Sequence, residues 1–464
     1  MLQAVVAMES LPTSLTTKES KECLTIKRGT RILSEKPFAY VLKSQYRLER
    51  CDNCLEAVQK VRKCSNCRYV SYCNRTCQQQ AWPLHKHECP FLKRVQPRIV
   101  PDAARMLCRL ILRLEHGGDL ERGYYTEHGS RKFRDLMSHY AEIKNDPKRR
   151  EHLESLHAVL TDMISDSNSG SSSIVPNITE LMSIYGRLIT NGFNILDAEM
   201  NSIATAIYLG VSITDHSCQP NAVATFEGNE LHVHVIEDLP CLDWSKIYIS
   251  YIDLLNTPEQ RRADLREHYY FLCVCSKCID PQEMHEMTAA VCPNASCDAS
   301  VNIELAKCQQ CDASVTPQLR TAYNDIMAFT QSSLDSMKEV AYLDVCNVCL
   351  EKQRGVLHPL NVWHVKTLDA AFEAAINVGK WTDALAFGQQ LLPGFGKYHG
   401  AWNPLVGLLH MKLGKIQLYE RNYKLAVHHL QEAQRILSVT HGHDHRLLVD
   451  QLRPLMLQAR HEMT

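Results

Sequence analysis

The sequence has no stretch of 18 or more apolar residues; the best candidate, residues 105–114, is broken by Arg105, Arg109 and Arg113. That excludes a membrane-spanning helix of ordinary length, so no membrane partner is expected. Charge of one sign is also missing. The 464 residues carry 51 Lys and Arg against 52 Asp and Glu, a formal net charge of −1. Binding to nucleic acid through bulk charge is thereby excluded, and only a local basic patch is left. The first ten residues, MLQAVVAMES, place no basic residue ahead of a short apolar run, which does not make a secretory signal. The expected setting is the reducing interior, cytoplasmic and nuclear. Disorder is excluded by 45 % hydrophobic and 22 % charged residues, and the length suits roughly two to four domains.

What the chain has in excess is cysteine, 20 residues, about twice ordinary usage. In a reducing compartment, clustered cysteines read as metal ligands before disulfides. The first cluster comprises Cys51, Cys54, Cys64, Cys67, Cys73, Cys77, His85 and Cys89, seven thiols and one imidazole. Zinc takes four such ligands at about 2.0 to 2.3 Å, and each Cys-x2-Cys or His-x3-Cys half delivers two from one turn. Eight ligands make two closed sites, which are structural and leave catalysis to another part of the chain. His87 falls off the ligand register and reads as solvent-facing.

The second cluster, Cys273, Cys275 and Cys278, leaves a tetrahedral zinc one ligand short, and Cys218 in the run Asp-His-Ser-Cys-Gln-Pro-Asn is the best fourth. The third, Cys292, Cys297, Cys308 and Cys311, has zinc-ribbon spacing and brings the expected zinc count to four per chain. Cys346 and Cys349 lie in a helical pattern with no second pair nearby and read as packed thiols, as do Cys23, Cys108 and Cys241.

The first cluster, with Tyr72, Gln78, Ala81, Trp82 and Pro83 between its ligands, resembles a MYND finger. The run from Asp215 to Asn221, then Ile-Ser-Tyr251, then Cys-x-Cys-x2-Cys looks like the catalytic half of a SET domain with its post-SET zinc site. Together they resemble the SET and MYND domain-containing (SMYD) lysine methyltransferases over nearly the full length. The resemblance implies interleaved finger sites, Cys51, Cys54, Cys73 and Cys77 on one zinc and Cys64, Cys67, His85 and Cys89 on the other.

The expected fold class is therefore α+β and multidomain: a β-rich SET core split by the finger and a helical insertion, then a post-SET zinc site and a TPR-like α-solenoid. The segments are 1–50, N-terminal SET; 51–89, finger; 90–200, helical insertion; 201–255, catalytic core; 256–280, post-SET; 281–316, ribbon-like insertion; and 317–464, helical C-terminal domain. Helical spacing supports the insertion (Met106, Leu107, Leu110, Ile111, Leu114), and short apolar alternations from 204 to 251 read as strands. In one of these, His232 and His234 alternate with Leu231, Val233 and Val235, and read as the strand's solvent face. Residues 165–173 are too polar and small to pack and read as a flexible loop. In the C-terminal part, Gly-Lys-Trp381-x2-Ala384 recurs as Arg-Asn-Tyr423-x2-Ala426, which suggests paired helices with a loop added around Pro393 and residues 402–404.

The resemblance also implies S-adenosylmethionine as cofactor and a protein lysine, on histones or other proteins, as substrate. Tyr251 and Tyr269 would orient the amine, with Phe193 lining the same channel. Asn191, Asp215, His216, His139 and Phe271 would surround the methyl donor. Three departures stand out: residues 17–23 lack the family's Gly-x-Gly, Asp215 replaces an asparagine, and residues 240–245 lengthen the turn before the tyrosine strand by two. A non-catalytic adaptor is the alternative, with proline-containing peptides bound at the finger and partners on the helical domain. Lys60, Arg62, Lys63 and Arg68 offer weak contact to DNA phosphates, with a solvated basic face as the plainer reading. A monomer is expected.

Overall fold

The computed structural model describes residues 25–164, 174–337 and 341–463; residues 17–23 and 165–173, singled out above, and Cys23 lie outside them. The β-core is two three-stranded antiparallel sheets. In one, strand Ser202–Ile207 runs between Ala39–Leu42 and Gly192–Leu196; in the other, Glu230–Val235 runs between Arg31–Glu35 and Ala222–Glu227. Ala204 and Ala206 lie fully buried in the middle strand of the first, small enough for Tyr40 and Phe193 to sit opposite Ala206 on either side. Tyr40, Leu42, Ile195, Ile203, Leu231, Val233 and Val235 fill the space between the sheets. A short parallel pair sets Asp215 and His216 beside Tyr248 and Ile249, two residues before Tyr251.

Between strands Ala39–Leu42 and Gly192–Leu196 the chain leaves the core for the finger and a helical block. Asn74 caps the finger helix Arg75–Val95 by accepting from the Cys77 N–H. The next helix, Asp102–Glu115, presents Met106, Leu107, Leu110 and Ile111 to the core and also buries Arg105 and Arg109. Helices Pro147–Ile164 and Ile178–Asn191 complete the block and lead straight into strand Gly192–Leu196. No helix among the described residues is long and apolar enough to cross a membrane.

Beyond the core, a Thr257–Gln260 capping box starts helix Pro258–Tyr269, which carries the chain to the post-SET cysteines. The C-terminal part is a succession of helices from Pro317–Ser336 to Arg453–Met463. The sequence repeat has a structural counterpart: Gly379 (φ 71°) and Arg421 (φ 60°) both take the left-handed conformation, and Ala384 and Ala426 are fully buried five residues later. Helices Pro404–Tyr419 and Tyr423–Thr440 approach closely because Gly414 has no side chain; a Cβ there would meet Leu430 Cγ at 2.7 Å.

Three expectations are corrected. His232 and His234 are buried, 5 % and 1 % exposed, because Glu230–Val235 is a middle strand covered on both faces. The face away from the core receives the end of the C-terminal domain, where His445 Nε2 bonds the Phe226 carbonyl at 3.0 Å and a Cβ on Gly442 would meet His234 Nε2 at 3.2 Å. Pro393 adds no loop; it lies inside helix Trp381–His399, and the turn is confined to residues 400–403. His87 is half-buried, its ring 3.7 Å from that of His116.

Candidate functional site

Four groups of metal-ligating atoms are present, the members of each within 4.8 Å of one another: Cys51, Cys54, Cys73 and Cys77; Cys64, Cys67, His85 and Cys89; Cys218, Cys273, Cys275 and Cys278; Cys292, Cys297, Cys308 and Cys311. All-thiol and Cys3His sets of four suit zinc in closed, structural sites. The finger groups have the interleaved membership, and Cys218 joins the three post-SET thiols across 55 residues of sequence. The ribbon group packs with Ala290, Val301, Ile303 and Tyr323, and its first strand bonds residue 356 (Val291 N to Val356 O, 2.9 Å), tying it to the helical domain.

The ligand His85 is held from behind. Its Nδ1 donates to Glu88 at 2.9 Å, and Glu88 also accepts from Arg105 (2.9 and 3.2 Å) and Arg109 (2.6 Å). Asp52 closes the array, accepting from Arg105 at 3.0 and 3.1 Å and from Arg109 at 2.9 Å. All four charged groups are at most 3 % exposed. The paired guanidiniums outweigh burial and hold both carboxyls below the usual carboxylate range. A carboxylate behind a zinc-bound histidine fixes its tautomer and orientation. The array also welds the finger to the SET insertion.

Tyr251 and Tyr269 meet with ring centroids 5.0 Å apart, and the Tyr269 hydroxyl lies 3.5 Å from the Tyr251 carbonyl oxygen. The Tyr251 hydroxyl donates to the Thr214 carbonyl at 2.5 Å. Burial raises the pKa of both phenols above the usual tyrosine value, so each stays a neutral hydroxyl. Both line two cavities. One, of about 280 Å³, has Phe193, Phe226, Ile249 and Asn191 in its wall; the other, of about 710 Å³, opens toward helix Ile178–Asn191 and includes Asp253, Asp264 and His152.

His216 is the strut of this site. Its Nδ1 accepts the Tyr251 N–H at 3.1 Å, so Nε2 carries the proton and donates to the Cys218 sulfur at 3.3 Å. Burial lowers its pKa to about 4, which keeps the ring neutral in that tautomer. Its ring also lies 5.3 Å from Tyr251 and 6.0 Å from Phe271, giving a ladder Phe271, His216, Tyr251, Tyr269. Asn191 donates to the Met137 carbonyl at 2.8 Å, joining it to the segment that carries His139. His139 itself lies against Tyr270, centroids 5.0 Å apart, and Asp215 is exposed at the start of its short strand. Among the described residues no hydrogen bond or ring contact joins His139 to the ladder. The lengthened turn at 240–245 is filled by Trp244, buried against Tyr125.

Glu88, Asp52 and the two arginines were not singled out by the sequence reading. Their only sequence signal is that Arg105 and Arg109 stand four apart inside an otherwise apolar helical face.

The MYND finger family matches residues 51–89. The chain is 29 % identical over 434 residues to histone-lysine N-methyltransferase SMYD3 of Homo sapiens, covering 92 % of this chain and 91 % of that protein. It is 23 % identical over 442 residues to N-lysine methyltransferase SMYD2-B of Xenopus laevis, covering 92 % and 94 %. Against N-lysine methyltransferase SMYD2 of Mus musculus the identity is 24 % over 430 residues, covering 90 % of each.

Proposed function

For this chain, which belongs to the SET and MYND domain-containing (SMYD) family of protein-lysine N-methyltransferases, we propose methyl transfer from S-adenosylmethionine to a lysine amine of a histone or another protein. The observation that carries the proposal is the half-buried pair Tyr251 and Tyr269 at the junction of two cavities. S-adenosylmethionine supplies an electrophilic methyl on a sulfonium. The ladder from Phe271 to Tyr269 suits such a group, because aromatic faces and the Thr214 carbonyl both favour a cation without competing for the methyl. The Thr190 hydroxyl, buried beside the smaller cavity with no hydrogen-bond partner, is a further free polar contact there. His139, Asn191, Asp215, His216 and Phe271 would hold the donor.

The chain's own work is on the amine. A lysine entering past Phe193 and Phe226 loses water, which disfavours the ammonium and leaves the lone pair that displacement requires. The Tyr251 hydroxyl oxygen and the neighbouring carbonyls accept from the amine N–H groups and aim that lone pair, the orientation on which a direct displacement depends. The zincs take no part in the step. They hold Cys218, through it His216, and through that the Tyr251 backbone.

Calorimetric titration of zinc-loaded protein with S-adenosylmethionine tests the reading, and absence of heat at millimolar donor rejects it. An adaptor role is a second reading, favoured by Trp82, which is 45 % exposed on the finger and so available to a proline-containing peptide. It predicts peptide binding without donor binding.

A further inference from the structure

Among the described residues, seven other than glycine take the left-handed backbone conformation, and two of these are ring neighbours: His139 (φ 45°) and Tyr270 (φ 60°), with centroids 5.0 Å apart. That conformation is uncommon for a residue with a Cβ and an outlier for a bulky one, so it persists only where the surroundings impose it. Tyr270 follows the last residue of helix Pro258–Tyr269, a place where the left-handed residue is usually glycine or asparagine. An aromatic side chain there needs a reason in what its ring touches and in what its neighbours do.

Tyr269 reaches the Tyr251 ring and Phe271 reaches the His216 ring, and those two rings are themselves 5.3 Å apart. Were the helix to continue through residue 271, the two side chains would leave it about 200° apart, on opposite faces. The left-handed residue between them lets both join one ladder. The ring of Tyr270 is meanwhile seated on a fixed surface. The segment that carries His139 is pinned to helix Ile178–Asn191: Arg187 donates to the Arg134 carbonyl at 3.0 Å, and Asn191 to the Met137 carbonyl at 2.8 Å. The Ser138 carbonyl comes so near Gly186 that a Cβ there would lie 2.0 Å from its oxygen. Tyr270 packs against the apolar core of the same helical block, while its hydroxyl, beside the Arg149 guanidinium, is buried with no hydrogen-bond partner. The contact is made by the ring.

We infer that Tyr270 is a positioning residue of the methyl-donor site: its ring, seated on His139, keeps residue 270 left-handed and so presents Tyr269 and Phe271 together. It acts through these two neighbours, and the same contact fixes the His139 ring. The inference rests on the proposed function. It makes donor affinity depend on a joint between the helical insertion and the post-SET helix.

The test is calorimetric titration of full-length, zinc-loaded protein with S-adenosylmethionine, for wild type, Tyr270→Ala, Tyr270→Gly and Tyr270→Phe, with zinc content and melting temperature measured on each. Affinity scales with the fraction of molecules already in the binding arrangement, so Tyr270→Ala is expected to bind about tenfold more weakly if about one molecule in ten keeps it. Tyr270→Gly takes the left-handed conformation without strain but supplies no ring, so it is expected to regain melting temperature and to stay as weak as the alanine variant. Tyr270→Phe keeps the ring and is expected to bind as tightly as wild type. Should the alanine variant fail to fold, the glycine and phenylalanine variants decide the matter between them. Wild-type affinity in the alanine or glycine variant, or a phenylalanine variant as weak as glycine, overturns positioning by the ring. No binding by the wild type at millimolar donor instead rejects the methyl-donor reading, and this inference with it.

Discussion

Glu88 accepts three hydrogen bonds from two arginines and a fourth from the zinc ligand His85, all without solvent. Glu88→Gln keeps the volume and removes the charge. Two guanidiniums then face only Asp52, an uncompensated positive charge is buried, and an amide NH2 points at groups that are themselves donors. Breaking a buried ion pair from one side costs about 3 to 5 kcal/mol. Loss of the carboxylate behind a zinc histidine weakens metal binding by about 10- to 100-fold. The assay is urea denaturation together with the rate of zinc transfer to a chromogenic chelator. Glu88→Gln should lower the midpoint and accelerate release of one zinc. Asp52→Asn removes the same charge without touching His85, so it should lower the midpoint similarly with a smaller effect on that zinc. A Glu88→Gln protein with wild-type midpoint and release rate refutes the coupling of array and metal.

Burial lowers the pKa of His234 to about 3 and that of His441 well below the usual value, and both sit where the C-terminal domain covers the sheet. The folded state leaves them neutral while the unfolded chain protonates them below pH 6.5, so their stabilisation is complete above that pH and is lost as pH falls toward 3. At pH 5 the loss is about 2 kcal/mol for His234, and His234→Leu should flatten the profile of melting temperature against pH over this window. Metal analysis should give four zincs per chain, falling to three in Cys297→Ser/Cys311→Ser with the finger zincs retained. Gly414→Ala should cost about 1 to 3 kcal/mol, since its Cβ overlaps Leu430, and a variant as stable as wild type would show that the two helices separate freely.

Fifteen of the sixteen zinc ligands could be read from spacing, because a tetrahedral site demands four soft ligands and short loops supply most of them together, whereas Cys218, 55 residues before its group, was reached as the missing fourth. Helical and strand segments were legible for the same local reason, period. The buried array was not: Asp52 is 53 and 57 residues from its arginines, and a charge in an apolar pattern looks the same whether it meets a partner or water. His232 and His234 misled because alternation marks which face a residue takes, and nothing nearby tells that residues 440–446, two hundred positions on, cover the second face. Likewise His216 sits between Tyr251 and Cys218 only once a parallel strand pair has formed.

The most direct test of the central claim pairs donor binding with transfer: S-adenosylmethionine affinity and methylation of a lysine-bearing protein, for wild type and Tyr251→Phe. The account predicts saturable donor binding in both proteins and transfer reduced about 100-fold or more in the variant, because the hydroxyl aims the amine and does not hold the donor. Donor binding absent at millimolar concentration, or transfer unaffected by Tyr251→Phe, contradicts it.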